Sequence, residues 1–197
     1  MVERIVVSDK LGAAGLELLR GVPGFDVQDV AGKGAEALDQ ALPDAVVLVV
    51  RSETKVTAAL MAKAPKLRII ARAGVGVDTI DLAEANHRKI AVLTAPGANA
   101  NSAAEFTFAL LLALVRKVPG GAASLSAGAW DRKSFEGTEL RGKTLGLVGM
   151  GRVGITVATI ARGFGMEVEA YDPRLTQHEV DPLGVTLLPL EDVLRNA

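Results

Sequence analysis

Short runs rich in β-branched residues alternate with stretches whose apolar positions recur at helical spacing along most of this chain. Arg4–Ser8, Phe25–Asp29, Ala45–Val50, Leu67–Ala71 and Ile90–Thr94 read as strands. The run Val46 to Val50 is apolar enough to be buried on both faces. Between them Ala13–Arg20, Ala35–Gln40, Thr57–Lys63 and Asp81–Arg88 read as helices. Thr57 stands where an N-cap belongs, Pro65 ends that helix, and Asp81 with Glu84 spells a capping box. Strict alternation of this kind predicts a parallel sheet flanked by helices and joined by right-handed crossovers.

The rhythm breaks at Pro96-Gly97-Ala98-Asn99-Ala100-Asn101, which divides the chain into residues 1–97 and 98–197. A helix is expected from Ser102 to Arg116, with Ser102 and Glu105 as a second capping box and Pro119-Gly120-Gly121 beyond its end. Phe106, Phe108, Leu110, Leu111, Leu112, Leu114 and Val115 go round nearly its whole circumference. Such a helix is expected to be buried all round, between domains or against a second subunit. A polar stretch around Trp130 to Lys133 leads to a second αβ pattern: strand Thr144–Val148, helix Val153–Phe164, strand Glu167–Tyr171, a short strand Val185–Leu188, and a helix starting at Leu190.

Composition narrows the partners. The chain has 197 residues, 49% of them hydrophobic and 23% charged, and 22 basic against 23 acidic side chains give a net charge of -1. That balance offers no electrostatic footprint for nucleic acid or an anionic membrane. With no cysteine, disulfides, thiol nucleophiles and thiolate metal sites are excluded, and no other metal site is read. The apolar run at the N-terminus is too short for a signal peptide, and Phe106 to Val115 is too short to span a bilayer. The expectation is a soluble cytoplasmic protein.

The sharpest chemical signal follows the strand Thr144–Val148. Gly149-Met150-Gly151-Arg152-Val153-Gly154 is a GxGxxG turn opening a helix, and Asp172 ends the next strand. The first glycine permits the tight turn, the second lets backbone approach a pyrophosphate, and the third lets helix and strand pack. The helix N-terminus favours phosphate, and a carboxylate at Asp172 accepts hydrogen bonds from an adenosine ribose. A 2′-phosphate would meet like charge there, which Arg174 only partly offsets, so NAD is favoured over NADP.

With these residues in hand the chain resembles the D-isomer-specific 2-hydroxyacid dehydrogenases. The resemblance is carried by Val50-Arg51-Ser52-Glu53-Thr54, by Arg72-Ala73-Gly74-Val75-Gly76-Val77-Asp78, by Asn99 to Glu105, by Gly137 to Gly146, and by the turn with Tyr171-Asp172-Pro173. It implies a flavodoxin-like substrate-binding domain up to about residue 97, then an incomplete Rossmann NAD-binding domain, with the active site in the cleft between them. Arg51-Ser52 and the Gly137-Thr138-Glu139-Leu140 segment point towards members of the family that act on phosphoglycerate. The reaction so implied is NAD-dependent oxidation of 3-phosphoglycerate to 3-phosphohydroxypyruvate, opening the phosphorylated route to serine. Substrate contacts would come from Arg51, Ser52, Gly74, Val75, Gly76 and Asn99. Cofactor contacts would come from Val75, Ser102, Gly149, Gly151, Arg152, Val153, Gly154 and Asp172. A homodimer or higher homo-oligomer is implied as well.

Plainer readings stand beside these. Arg51 can be a solvated cation, Gly74 and Gly76 a simple turn, Ser102 with Glu105 a helix cap, and Arg132 with Lys133 a solvated face. The family's catalytic histidine, its orienting acid and its arginine are expected beyond Ala197. His87, near a helix end, and His178, in a polar segment, are not read as catalytic. Reduction of glyoxylate or hydroxypyruvate, or oxidation of another D-2-hydroxy acid, is the alternative activity. A non-catalytic relative that senses NAD(H) or acts as a corepressor is the alternative from another class.

Overall fold

In the computed structural model, residues 2–197 are described, and they form two compact units that divide between Ala98 and Asn99. The first contains strands β1 (Glu3–Val7), β2 (Phe25–Asp29), β3 (Ala45–Val50), β4 (Ile69–Arg72) and β5 (Ala91–Leu93), all parallel, in the order β2-β1-β3-β4-β5. Helices α1 (Ala13–Arg20), α2 (Ala35–Ala41), α3 (Ala58–Ala62) and α4 (Leu82–His87) make the crossovers. This is the flavodoxin-like order, in which the chain first moves one way from β1 and then returns to the other side.

Alternation along the strands explains why the sheet is covered twice. Val6, Leu48, Val50 and Ile70 turn to one face and pack with Leu42, Met61, Ile80 and Ala85. Ile5, Val7 and Val49 turn to the other, against Leu11, Leu16 and Leu19 at and before α1. Thr57 caps α3 by accepting from Leu60 N–H (3.3 Å). At α4 only half of the expected box forms. Asp81 accepts from Glu84 N–H (3.0 Å), but Glu84 turns its carboxylate to Arg88 (2.5 Å), because an ion pair one turn on competes for it.

The second unit has three parallel strands, β6 (Thr144–Val148), β7 (Glu167–Tyr171) and β8 (Thr186–Leu187), in the order β6-β7-β8, with β6 at one edge. Helices α5 (Ala100–Val115), α6 (Val118–Ser126), α7 (Arg152–Gly163), α8 (Gln177–Val180) and α9 (Leu190–Asn196) complete it. Ala104 and Phe108 of α5 join Val157, Ala158 and Ala161 of α7 in the core, and the Phe108 and Phe164 rings stack at 5.2 Å.

Two expectations for this region are corrected, the second capping box and the break at Pro119. Helix α5 starts at Ala100, so Ser102 and Glu105 lie inside it and form no capping box; Glu105 accepts from Asn101 Nδ2 instead (2.6 Å). Within the chain α5 is covered on one face only, since Phe106, Leu110 and Leu114 are 64%, 57% and 76% exposed. Pro119, Gly120 and Gly121 are not a break between elements but lie inside α6, which leaves α5 at 63°. Proline is tolerated in a first helical turn, where its missing N–H has no partner to lose. Among the described residues no single helix is long and apolar enough to cross a membrane.

Candidate functional site

The candidate residues fall into two groups, one in each unit. In the first unit Arg51, Ser52, Gly74, Val75 and Gly76 follow β3 and β4, at the carboxyl edge of the sheet. That edge, at the switch between β1 and β3, is where open α/β sheets hold ligands. Arg51 and Ser52 are exposed, and Val75 is 43% exposed.

Sequence reading missed two residues that hold this group. Arg72, the last residue of β4, donates from Nε to the carbonyl of Arg51 (3.2 Å). Its guanidinium also lies against the glycine loop, because a Cβ on Gly74 would sit 2.6 Å from Arg72 Nη1 and one on Gly76 3.7 Å from it. A side chain at Gly74 would push that guanidinium aside, whereas at Gly76 the nearer atom is Asp78 Oδ1 at 2.8 Å. Arg51 and Arg72 therefore bring two positive charges to one edge.

The second is Asp9, just beyond β1, 2% exposed. Its carboxylate accepts from Arg51 N–H (2.6 Å), Glu53 N–H (3.1 Å), Thr54 N–H (3.1 Å) and the Thr54 hydroxyl. Burial alone would raise its pKa, but these donors outweigh it and hold the group below the ordinary carboxylate range. A lone acid after a strand carries no motif; the topology of β1 and β3 was the signal that could have exposed it. Beside the loop a depression of about 410 Å³ is lined by Lys10, Leu11, Asp29, Ala31, Gly32 and Glu53.

In the second unit the turn between β6 and α7 gives each glycine a separate reason. Gly149 has φ +99°, which other residues rarely adopt. At Gly154 a Cβ would run into the Gly149 carbonyl oxygen. Gly151 has an ordinary φ of -72°, and a Cβ there would meet nothing within 4 Å. The protein's own packing does not require glycine at 151, so the open space before α7 fits an approaching ligand. The N–H groups of Arg152, Val153 and Gly154 precede the first helical bond, Ile155 N–H to Gly151 O (2.9 Å), and remain available to an anion.

Asp172 follows the last residue of β7 and is 8% exposed. It accepts from Met150 N–H (2.9 Å) and Arg174 N–H (3.0 Å), and these donors, Met150 first, hold its carboxyl below the ordinary range. Each carboxylate oxygen keeps a lone pair for a ribose hydroxyl. The turn and the acid thus fit a dinucleotide. Asn99 caps α5 without a side-chain bond, and Ser102 lies exposed on its first turn. His87 ends α4, at the opposite edge of the first sheet from Arg51, and pairs with Glu84 (3.7 Å); His178 is exposed on α8.

Comparison with known proteins agrees with this fold. Residues 5–181 match the family described as D-isomer specific 2-hydroxyacid dehydrogenase, catalytic domain. D-3-phosphoglycerate dehydrogenase of Methanocaldococcus jannaschii is 45% identical over 185 residues, which are 94% of this chain and 35% of that protein. The chain therefore spans about a third of the length of such curated relatives. A crystal structure of a Thermus thermophilus protein superposes with a TM-score of 0.85 at 37% identity, covering 98% of this chain and 62% of the other. D-lactate dehydrogenase of Aquifex aeolicus, solved with NAD and lactic acid, gives 0.81 at 26% identity, covering 99% and 58%.

Proposed function

This chain belongs to the D-isomer specific 2-hydroxyacid dehydrogenase family, and from that premise we propose that its protein oxidises 3-phosphoglycerate at C2 with NAD. The observation that carries the substrate is the pair of guanidinium-bearing residues, Arg51 and Arg72, gathered at one sheet edge around the Gly74–Gly76 loop. A 2-hydroxy acid with a phosphorylated tail presents two anions, and two cations with a glycine loop suit it better than one would. The name of the Methanocaldococcus jannaschii relative supports the same substrate.

The nicotinamide, when bound, supplies the hydride acceptor. Within the chain, the N–H groups at the start of α7 hold the pyrophosphate and Asp172 takes the adenosine ribose. Arg51, Ser52, Asn99 and the Gly74–Gly76 loop are assigned to the acid, and Val75 and Ser102 to the cofactor. The hydroxyl proton is assigned to neither histidine of this chain. A homodimer through the exposed face of α5 completes the reading, since Phe106, Leu110 and Leu114 leave that face apolar. A full-length protein that sediments as a monomer at micromolar concentration would remove this last element.

The activity is tested on the full-length gene product by following NADH formation with 3-phosphoglycerate. Turnover of glyoxylate without turnover of 3-phosphoglycerate would overturn the substrate. For the cofactor, Asp172→Ala is expected to narrow the preference for NADH over NADPH by about tenfold or more, because it removes both the ribose acceptor and the charge that repels a 2′-phosphate. Tighter binding of NADPH than NADH by the wild type, in a fluorescence titration, would refute it.

A further inference from the structure

The loop that carries Arg51 and Ser52 is shaped from beneath by a buried charge. Asp9 pairs with no cation among the described residues, yet its Oδ2 accepts from the N–H groups of Arg51 (2.6 Å), Glu53 (3.1 Å) and Thr54 (3.2 Å). Its Oδ1 accepts from Thr54 N–H (3.1 Å), from the Thr54 hydroxyl, and from Ser8 Oγ (3.5 Å). Backbone N–H groups that converge in this way make a concavity suited to an anion. It lies where β1 and β3 send the chain in opposite directions, the crevice that takes the ligand in sheets of this order. Here the anion is the chain's own.

The consequence falls on Arg51. Its N–H is held by Asp9, its carbonyl by Arg72 Nε (3.2 Å), and one guanidinium nitrogen by the Lys10 carbonyl (3.2 Å). With the loop donors turned inward, the Arg51 and Ser52 side chains are left exposed at the sheet edge. An ionised carboxylate is an expensive way merely to fill space in a core, and its cost is offset only when its donors are complete. We propose that Asp9 is a positioning residue: as an internal anion it saturates the backbone donors at the β1/β3 switch point and thereby aims Arg51 and Ser52 at the substrate's anionic group.

The proposal rests on the substrate reading above only for the identity of the acid, and the experiment separates the two. The full-length gene product is assayed with NAD and 3-phosphoglycerate, D-glycerate and D-lactate, and the acid it oxidises best is used for every variant. A preference for another acid would overturn the substrate reading and leave Asp9 to be tested on that acid. Asp9→Ala is expected to raise KM about tenfold or more, with kcat within about threefold and the NADH Kd within about twofold. Asp9→Asn keeps one oxygen facing the three N–H groups and is expected to bring KM most of the way back to the wild-type value. Should Asp9→Ala fail to fold, Thr54→Val, which withdraws one donor from the same carboxylate, carries the test with a KM raised about threefold. An unchanged KM in the variant that folds would overturn the proposal. So would a rise in KM matched by parallel losses of kcat, NADH binding and melting temperature, which is what a purely structural acid predicts.

Discussion

Gly154→Ala is expected to destabilise the second unit by about 3 kcal/mol or more, whereas Gly151→Ala should change its stability by less than about 1 kcal/mol and abolish NADH binding. The two positions lie three residues apart in one turn, and the contrast comes from what each missing Cβ would meet. At 154 it would strike the carbonyl oxygen of Gly149, a backbone atom. Gly149 is itself held at φ +99°, so the turn has no cheap way to yield. Moving α7 instead would pull Val157, Ala158 and Ala161 out of the core they form with Ala104 and Phe108. At 151 nothing within 4 Å opposes the methyl group, so the fold loses only glycine's advantage over alanine as an N-cap. A pyrophosphate approaching the start of α7 would not be. Thermal unfolding and NADH fluorescence titration of both full-length variants decide the matter. Equal melting temperatures would remove the packing account of Gly154, and wild-type NADH affinity in Gly151→Ala would remove the cofactor from this turn.

Arg51→Ala should raise KM for the acid by about 10–100-fold, the range expected on losing charge-assisted hydrogen bonds to an anion. The NADH Kd should stay at the wild-type value, since the nucleotide turn belongs to the other unit. Arg51→Lys should recover only part of the loss. Lysine keeps the charge but gives up the planar fork that pairs two oxygens at once. Melting temperature is a useful control, because Arg51 is exposed and its side chain makes a single bond, to the Lys10 carbonyl. A KM that does not move in Arg51→Ala would return this residue to the solvated cation that sequence alone left open.

The parts of the fold that could be read from sequence are those whose signal is local. Phe25–Asp29, Ala45–Val50, Thr144–Val148 and Glu167–Tyr171 occur where their β-branched runs place them. Helix α6 was hidden because Pro119, Gly120 and Gly121 look like punctuation. Proline costs nothing in a first turn, and Gly120 is small because a Cβ there would come within 3.0 Å of the Phe135 ring. The box at Ser102 and Glu105 failed for the opposite reason: a good local signal was overridden when the helix extended back to Ala100. The same division runs through the site. The glycine turn was visible because its spacing is its chemistry. Asp9 was not, because its donors come from more than forty positions along the chain, at Arg51 to Thr54. Nor was the bond from Arg72 Nε to the Arg51 carbonyl, which exists only once β3 and β4 lie side by side.

The edge position of β6 bears on solubility. Thr144–Val148 carries no charge, no proline and no irregularity in its pairing with β7, the devices that usually blunt an exposed strand. Its outer row of backbone donors and acceptors is thus a template, and Val148, 64% exposed, adds an apolar side chain to it. These 197 residues handled by themselves would meet copies of the same uncharged edge. Colloidal behaviour, rather than the integrity of either fold, is what that strand puts at risk.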